Sequence, residues 1–206
     1  MPLQQHVFRE ALRSAPLIAI LRGMSPEDTL SSAVTLWRQG VTLVEIPLHS
    51  PTSRDAFTAT YAAKSTHPGA YLGVGSVRSV EDYMLARDMG ADFTVSPGLF
   101  EDVCSASLTD NIAHLPGVFT PSEVGNALAL GFTTVKLFPA STYGPAGLTA
   151  LRDPFPEVGI VAVGGVTSTN VAEYIRHGAI AVGMGSALAG GGHNIPDLLH
   201  TLTSNH

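Results

Sequence analysis

The feature that most restricts the fold of this 206-residue chain is an alternation repeated eight times. Apolar, β-rich runs begin near Leu17, Leu43, Tyr71, Asp92, His114, Thr133, Gly159 and Ala179, and segments of helical character separate them. The punctuation keeps the same beat. Gln39-Gly40, Met89-Gly90, Leu130-Gly131 and His177-Gly178 each put a glycine where a helix closes in a left-handed residue, and a strand follows within a few positions. Ser25-Pro26-Glu27-Asp28 and Thr120-Pro121-Ser122-Glu123 carry the opposite signal: a capping hydroxyl, proline at the first helical position and a carboxylate in the first turn. Strands that alternate with helices predict a parallel sheet, and eight repeats predict its closure into a (β/α)8 barrel. A doubly wound open sheet is the rival architecture, but five or six strands would normally suffice there. No linker or low-complexity tract divides the chain, so residues 1–206 read as one α/β domain, a TIM barrel over 16–206 preceded by a short helix over 1–15.

Composition narrows the function classes. Eleven Lys and Arg against seventeen Asp and Glu give a net charge of -6, which leaves no basic stripe for a nucleic-acid backbone, and no basic amphipathic helix suggests a membrane surface. Cys104 is the single cysteine, so neither an internal disulfide nor a thiolate metal site is available, as befits a reducing compartment. The segment Met1 to Ala15 mixes Gln, His, Arg and Glu with its apolar residues and lacks the apolar run of a signal peptide. The expectation is a cytoplasmic protein. The eight histidines include no HExxH or HxH spacing, so no metal and no cofactor is expected.

One residue breaks the pattern of the strands. Lys136 stands inside Thr133-Thr134-Val135-Lys136-Leu137-Phe138-Pro139, which otherwise reads as buried, and the only other lysine is Lys64 in a polar segment. Desolvation favours the neutral amine, and a neutral amine attacks carbonyls; a lysine held in a structural ion pair is the competing reading. Barrel active sites lie at the C-terminal ends of the strands, and further unusual residues collect there. Arg22 follows Leu17-Ile18-Ala19-Ile20-Leu21, Glu45 interrupts Leu43-Val44-Glu45-Ile46-Pro47-Leu48, Gly73-Val74-Gly75-Ser76 ends the third strand and Ser96-Pro97-Gly98 the fourth. Period-two alternation puts Glu45 on the face of Leu43 and Pro47, and Lys136 on the face of Thr134 and Phe138. Both charges can then enter one lumen, either as a mutually neutralising pair or as a reactive amine with its proton shuttle.

Taken in order, Arg22-Gly23, Val44-Glu45-Ile46-Pro47-Leu48, Gly73-Val74-Gly75-Ser76-Val77, Ser96-Pro97-Gly98, Pro116-Gly117 with Thr120-Pro121-Ser122-Glu123, Lys136-Leu137-Phe138-Pro139-Ala140, Gly164-Gly165-Val166 and Gly183-Met184-Gly185-Ser186 resemble the 2-keto-3-deoxy-6-phosphogluconate and -galactonate aldolases. The resemblance spans about residues 16 to 188. It implies a class I aldolase on a (β/α)8 barrel, a homotrimer, and cleavage of a phosphorylated 2-keto-3-deoxy sugar acid to pyruvate and glyceraldehyde 3-phosphate. It implies Lys136 as the Schiff-base nucleophile and Glu45 as the general acid/base. Arg22, Gly75 and Ser76 match the positions that hold the substrate carboxylate, with serine where the family commonly has threonine. Gly164, Gly165, Gly185 and Ser186 match the phosphate site, and Pro97 and Phe138 the apolar pocket wall, although each of those two could equally be plain core.

The loop Ile46-Pro47-Leu48-His49-Ser50-Pro51 looks more like the galactonate type, since gluconate-type members often carry an arginine there; His49 is the candidate substrate contact. The gluconate epimer and 4-hydroxy-2-oxoglutarate remain alternative substrates. A phosphosugar isomerase or a phospho-ligand sensor on the same barrel is the more distant reading.

Overall fold

The computed structural model describes residues 2–48, 50–185, 188 and 194–204. Its elements run α1 (Gln5–Ser14), β1 (Leu17–Ile20), α2 (Pro26–Arg38), β2 (Leu43–Pro47), α3 (Pro51–Lys64), β3 (Tyr71–Gly75), α4 (Val80–Asp88), β4 (Phe93–Val95), α5 (Glu101–Asp110), β5 (Ala113–Leu115) and β6 (Gly117–Val118). They continue with α6 (Pro121–Ala129), β7 (Thr134–Leu137), α7 (Ala140–Arg152), β8 (Gly159–Val163), α8 (Val171–Arg176), β9 (Ala179–Met184) and α9 (Ile195–Ser204). All ladders are parallel and the strand order is β5-β4-β3-β2-β1-β9-β8-β7-β6, a (β/α)8 barrel rather than an open doubly wound sheet. The two ends of that order, β5 and β6, are the halves of one strand parted at Pro116. Proline has no N–H to give to a ladder, so the eight expected strands become nine ladder segments.

The terminators act as their sequence predicts. Ser25 Oγ accepts the Asp28 N–H, and Thr120 with Glu123 forms a reciprocal capping box, each cap directly before a proline at the first helical position. Gly40, Gly90, Gly131 and Gly178, which follow the ends of α2, α4, α6 and α8, all have positive φ, where a side chain would be strained.

Alternation divides the buried side chains into two layers. Val44, Ile46, Leu72, Val74, Val135, Leu137, Ile160, Ala162 and Val182 point outward to the helices. Ile18, Leu43, Phe93, Val95, Ala113, Leu115, Val161, Val163 and Ala181 fill the lumen, joined by Leu3, Phe8 and Leu12 of the N-terminal segment. Phe8 and Leu12 are fully buried, worth about 1.5–3 kcal/mol each, so α1 stoppers the N-terminal mouth. It also spans the seam where β5 and β7 meet without a ladder. The Gln5 carboxamide donates to the His114 carbonyl and accepts the His114 N–H, both at 3.0 Å. The Arg9 guanidinium donates to the carbonyls of Thr133 and Glu157 at 3.2 and 3.1 Å and to Thr133 Oγ1 at 2.6 Å. With its lower end filled, the lumen is open to chemistry only at the strands' C-terminal ends.

Candidate active site

Glu45 and Lys136 both enter the lumen, because their sequence neighbours Val44, Ile46, Val135 and Leu137 all belong to the outer layer. They stand on opposite staves. From β2 the ladder reaches β7 in four steps through β1, β9 and β8, and in four through β3, β4 and the split strand β5/β6. Glu45 is 3% exposed and Lys136 5%. Among the described residues they form no direct ion pair, which removes the simplest structural account of two buried charges. Each still feels the other. Burial pushes the Glu45 carboxyl above its ordinary range, against the pull of Lys136 and Arg22. Burial likewise lowers the Lys136 amine; Arg22 lowers it further and Glu45 opposes the change. Lys136 Nζ sits 4.7 Å from the centroid of the Phe138 ring, and its main-chain N–H donates to the Pro116 carbonyl at 2.9 Å.

Three glycine-containing turns shape the space around these groups. Gly75 ends β3, and the Glu45 carboxyl occupies the place a β-carbon there would need. Gly117 pairs in register with Lys136; a β-carbon on it would strike the backbone of Pro97 and Gly98, so only glycine lets the fourth βα loop lie against β6, the strand beside the lysine. Gly117 is a supporting residue of the site that reading the sequence assigns no role. Its signal, a glycine directly after the proline that splits the strand, is visible only once the closure is known. Gly164 and Gly165 have φ of 92° and 78° and pack against Phe138 and Ser141.

Several of the expected binding residues divide between two pockets, and Lys136, Glu45 and Pro97 line neither of them. Arg22, Phe138, Val163, Gly164, Gly165 and Gly185 line one cavity of about 340 Å³. Gly75 and Ser76 line a different one of about 270 Å³, between the loops after β2 and β3. Arg22 is thus grouped with the glycine turns of β8 and β9, while its charge acts on both Glu45 and Lys136. Ser76 is a non-glycine residue at φ 63°, held there by its neighbours: Val77 N–H donates to the Val95 carbonyl, and Ser96 Oγ to the Val77 carbonyl at 2.6 Å. Pro97 is half-buried beside Gly117. His49 and Ser186 lie outside the described residues. Among the described residues no cluster of His, Cys, Asp and Glu could hold a metal ion, and no helix is long and apolar enough to cross a membrane.

A (β/α)8 barrel with a buried lysine facing a buried carboxylate across the lumen, and paired glycine turns beside them, has the architecture of an aldolase. The profile of the KDPG and KHG aldolases matches residues 8–196, and the chain belongs to that family. A relative from Rhizobium meliloti, described as a probable 2-dehydro-3-deoxy-6-phosphogalactonate aldolase, is 40% identical over 84% of this chain and 81% of its own. The 2-dehydro-3-deoxy-6-phosphogalactonate aldolase of Escherichia coli is 34% identical over 87% of each chain. Relatives described as 2-dehydro-3-deoxy-phosphogluconate aldolases match at 27–34% identity. Among solved structures, one described as native KDPGal superposes with a TM-score of 0.81 at 30% identity, covering 100% of this chain and 97% of that one. The protein is a carbon–carbon lyase, not an isomerase or a ligand sensor.

Proposed function

We propose that this chain is a class I aldolase that cleaves 2-dehydro-3-deoxy-6-phosphogalactonate to pyruvate and D-glyceraldehyde 3-phosphate. The observation that carries the reading is Lys136: a buried amine in the lumen, lowered by desolvation and tied by a direct ion pair to no carboxylate among the described residues. The amine adds to the C2 carbonyl to give a carbinolamine, which loses water to form a protonated Schiff base. As the C3–C4 bond breaks, its electron pair flows to the iminium nitrogen and leaves an enamine. The C4 hydroxyl proton passes through water to the Glu45 carboxylate, and C4 departs as the aldehyde. Protonation of the enamine carbon and hydrolysis release pyruvate and restore the lysine. The iminium takes the electrons that a metal ion would otherwise stabilise.

Arg22 and the Gly75-Ser76 turn receive the substrate carboxylate in this reading; the support is that the Arg22 charge bears on both Glu45 and Lys136. Gly164, Gly165 and Gly185, with Ser186, receive the phosphate on main-chain N–H groups beside Phe138. The galactonate epimer is favoured by the 40% identical relative. The protein acts as a homotrimer in this proposal, which light scattering on the purified chain checks.

The test is borohydride reduction with pyruvate followed by peptide mass spectrometry. An adduct confined to Lys136 upholds the chemistry, and its absence sinks it. Comparing kcat/KM for the two epimeric phosphosugar acids and for 4-hydroxy-2-oxoglutarate then decides the substrate.

A further inference from the structure

The turn that ends β3 has a second side. The pocket of about 270 Å³ on its outer flank is lined by Ser50, Arg54, Ser76, Arg78 and Asp82, among others. Arg54 reaches it from the start of α3, and Arg78 from the loop before α4. Both are exposed, and neither forms an ion pair or donates a side-chain hydrogen bond among the described residues. Four other cations, Arg13, Lys64, Arg87 and Arg176, each meet a carboxylate. Asp82, the carboxylate lining this pocket, is occupied in part, since its Oδ2 accepts the main-chain N–H of Arg78 at 3.0 Å. Two guanidinium groups against one engaged carboxylate leave the pocket positive on a chain whose net charge is -6. The Ser76 hydroxyl, also without a hydrogen bond among the described residues, opens onto the same space.

We propose that this pocket is a second anion site, distinct from the lumen, which takes a small phosphate-bearing anion between Arg54 and Arg78. A carboxylate is filled by one guanidinium fork, whereas a phosphate group offers three terminal oxygens and up to two charges, enough for both forks and the Ser76 hydroxyl together. A ligand there grips the outer side of the turn whose Gly75 backs the Glu45 carboxyl. Occupancy therefore competes with the substrate carboxylate for Ser76. That coupling, though not the site itself, rests on the carboxylate role given to the turn above.

The first test is independent of the aldolase chemistry. Inorganic phosphate is titrated calorimetrically into the full chain and into the Arg54→Gln/Arg78→Gln double variant, with circular dichroism as the check on folding. The wild type binds one more phosphate per chain than the variant. Equal stoichiometry and affinity in the two proteins would overturn the site and leave the arginines as solvated charge. Glycerol 3-phosphate in place of phosphate separates the sources: tighter binding lost in the variant identifies a phosphate ester as the occupant, equal binding free phosphate. The second test reads the coupling. Phosphate raises the pyruvate concentration that half-saturates trapping at Lys136 by about threefold in the wild type and leaves the variant unmoved; a wild type that does not respond overturns the competition for Ser76. Failure of the aldolase reading gives no trapping at all, with or without phosphate, and so is not confused with either result.

Discussion

The carboxyl group of Glu45 fills the volume that a β-carbon on Gly75 would occupy. This carboxyl, the proposed acid/base group, is thus seated by the absence of a side chain on the neighbouring strand, at the position paired with Pro47 in the β2–β3 ladder. Gly75→Ala displaces the carboxyl without removing it. The expected result is a fall in kcat of about 100-fold, the scale that a displacement of roughly 1 Å costs a positioned group, with the fold intact by circular dichroism. A variant as active as the parent would show that Glu45 need not be seated there.

Lys136→Ala abolishes turnover, by about four orders of magnitude or more, as removal of a covalent nucleophile does. Lys64 does not substitute. Its Nζ lies 2.7 Å from both oxygens of Asp92, which keeps it engaged. Borohydride trapping with pyruvate checks this directly: the variant takes up no adduct, and label on Lys64 would contradict the assignment.

The charges around Lys136 fix the sign of two pH shifts. Glu45 raises the amine pKa and Arg22 lowers it, both against the larger lowering by burial. The rate of imine formation therefore follows a midpoint below that of an ordinary lysine. That midpoint falls further in Glu45→Gln and rises in Arg22→Gln. Trapping rates between pH 5 and 10 measure it, and shifts in the opposite directions would refute the electrostatic picture.

Burial raises the folded-state pKa of Glu45, so its contribution to stability is present below the unfolded carboxyl pKa and is lost as pH rises through the folded value. Glu45→Gln removes that loss. The variant melts above the wild type at pH 8, and the gap narrows towards pH 4.5. A gap that widens on acidification would reverse the reading.

His114 titrates in the other direction. It is fully buried on β5, its Nδ1 lies 2.8 Å from Thr94 Oγ1, its Nε2 has no partner among the described residues, and burial pushes its pKa down to about 3. The folded state holds the ring neutral while the unfolded chain protonates it below the ordinary imidazole value of about 6.5. Stability is therefore fully present above pH 6.5 and lost as the pH falls from there towards 3. His114→Leu flattens this acid limb, so urea midpoints at pH 7 and pH 5 lie closer together in the variant than in the wild type.

Much of this was written locally in the chain. Strand positions, glycine caps and capping boxes depend on neighbours a few residues apart, and the inward aim of Glu45 and Lys136 follows from the period of two. What the sequence conceals arises from closure. Gly117 matters because Pro97 and Gly98, about twenty residues earlier, lie against it. The grouping of Arg22 with Gly164 and Gly165, apart from Ser76, depends on how the loops lean over the mouth. Arg54 and Arg78 share a pocket only because α3 returns the chain to β3 alongside β2. Pro116 was in plain view, but its effect, ladders shared between β4 on one side and β7 on the other, follows from the ring.

That split strand gives the N-terminal helix a hold on the distant chemistry. On one side β7 is laddered along its whole length to β8; on the other its register partners among the described residues are Gly117 and Val118 alone. Arg9, clamped to the carbonyls of Thr133 and Glu157, acts as a hoop across this seam. Local opening begins at such weak seams. Arg9→Ala accordingly speeds amide exchange at Lys136 and Phe138 before the β1–β9 and β8–β9 ladders are affected, so that how long the proposed nucleophile stays dry is controlled from the far end of the chain.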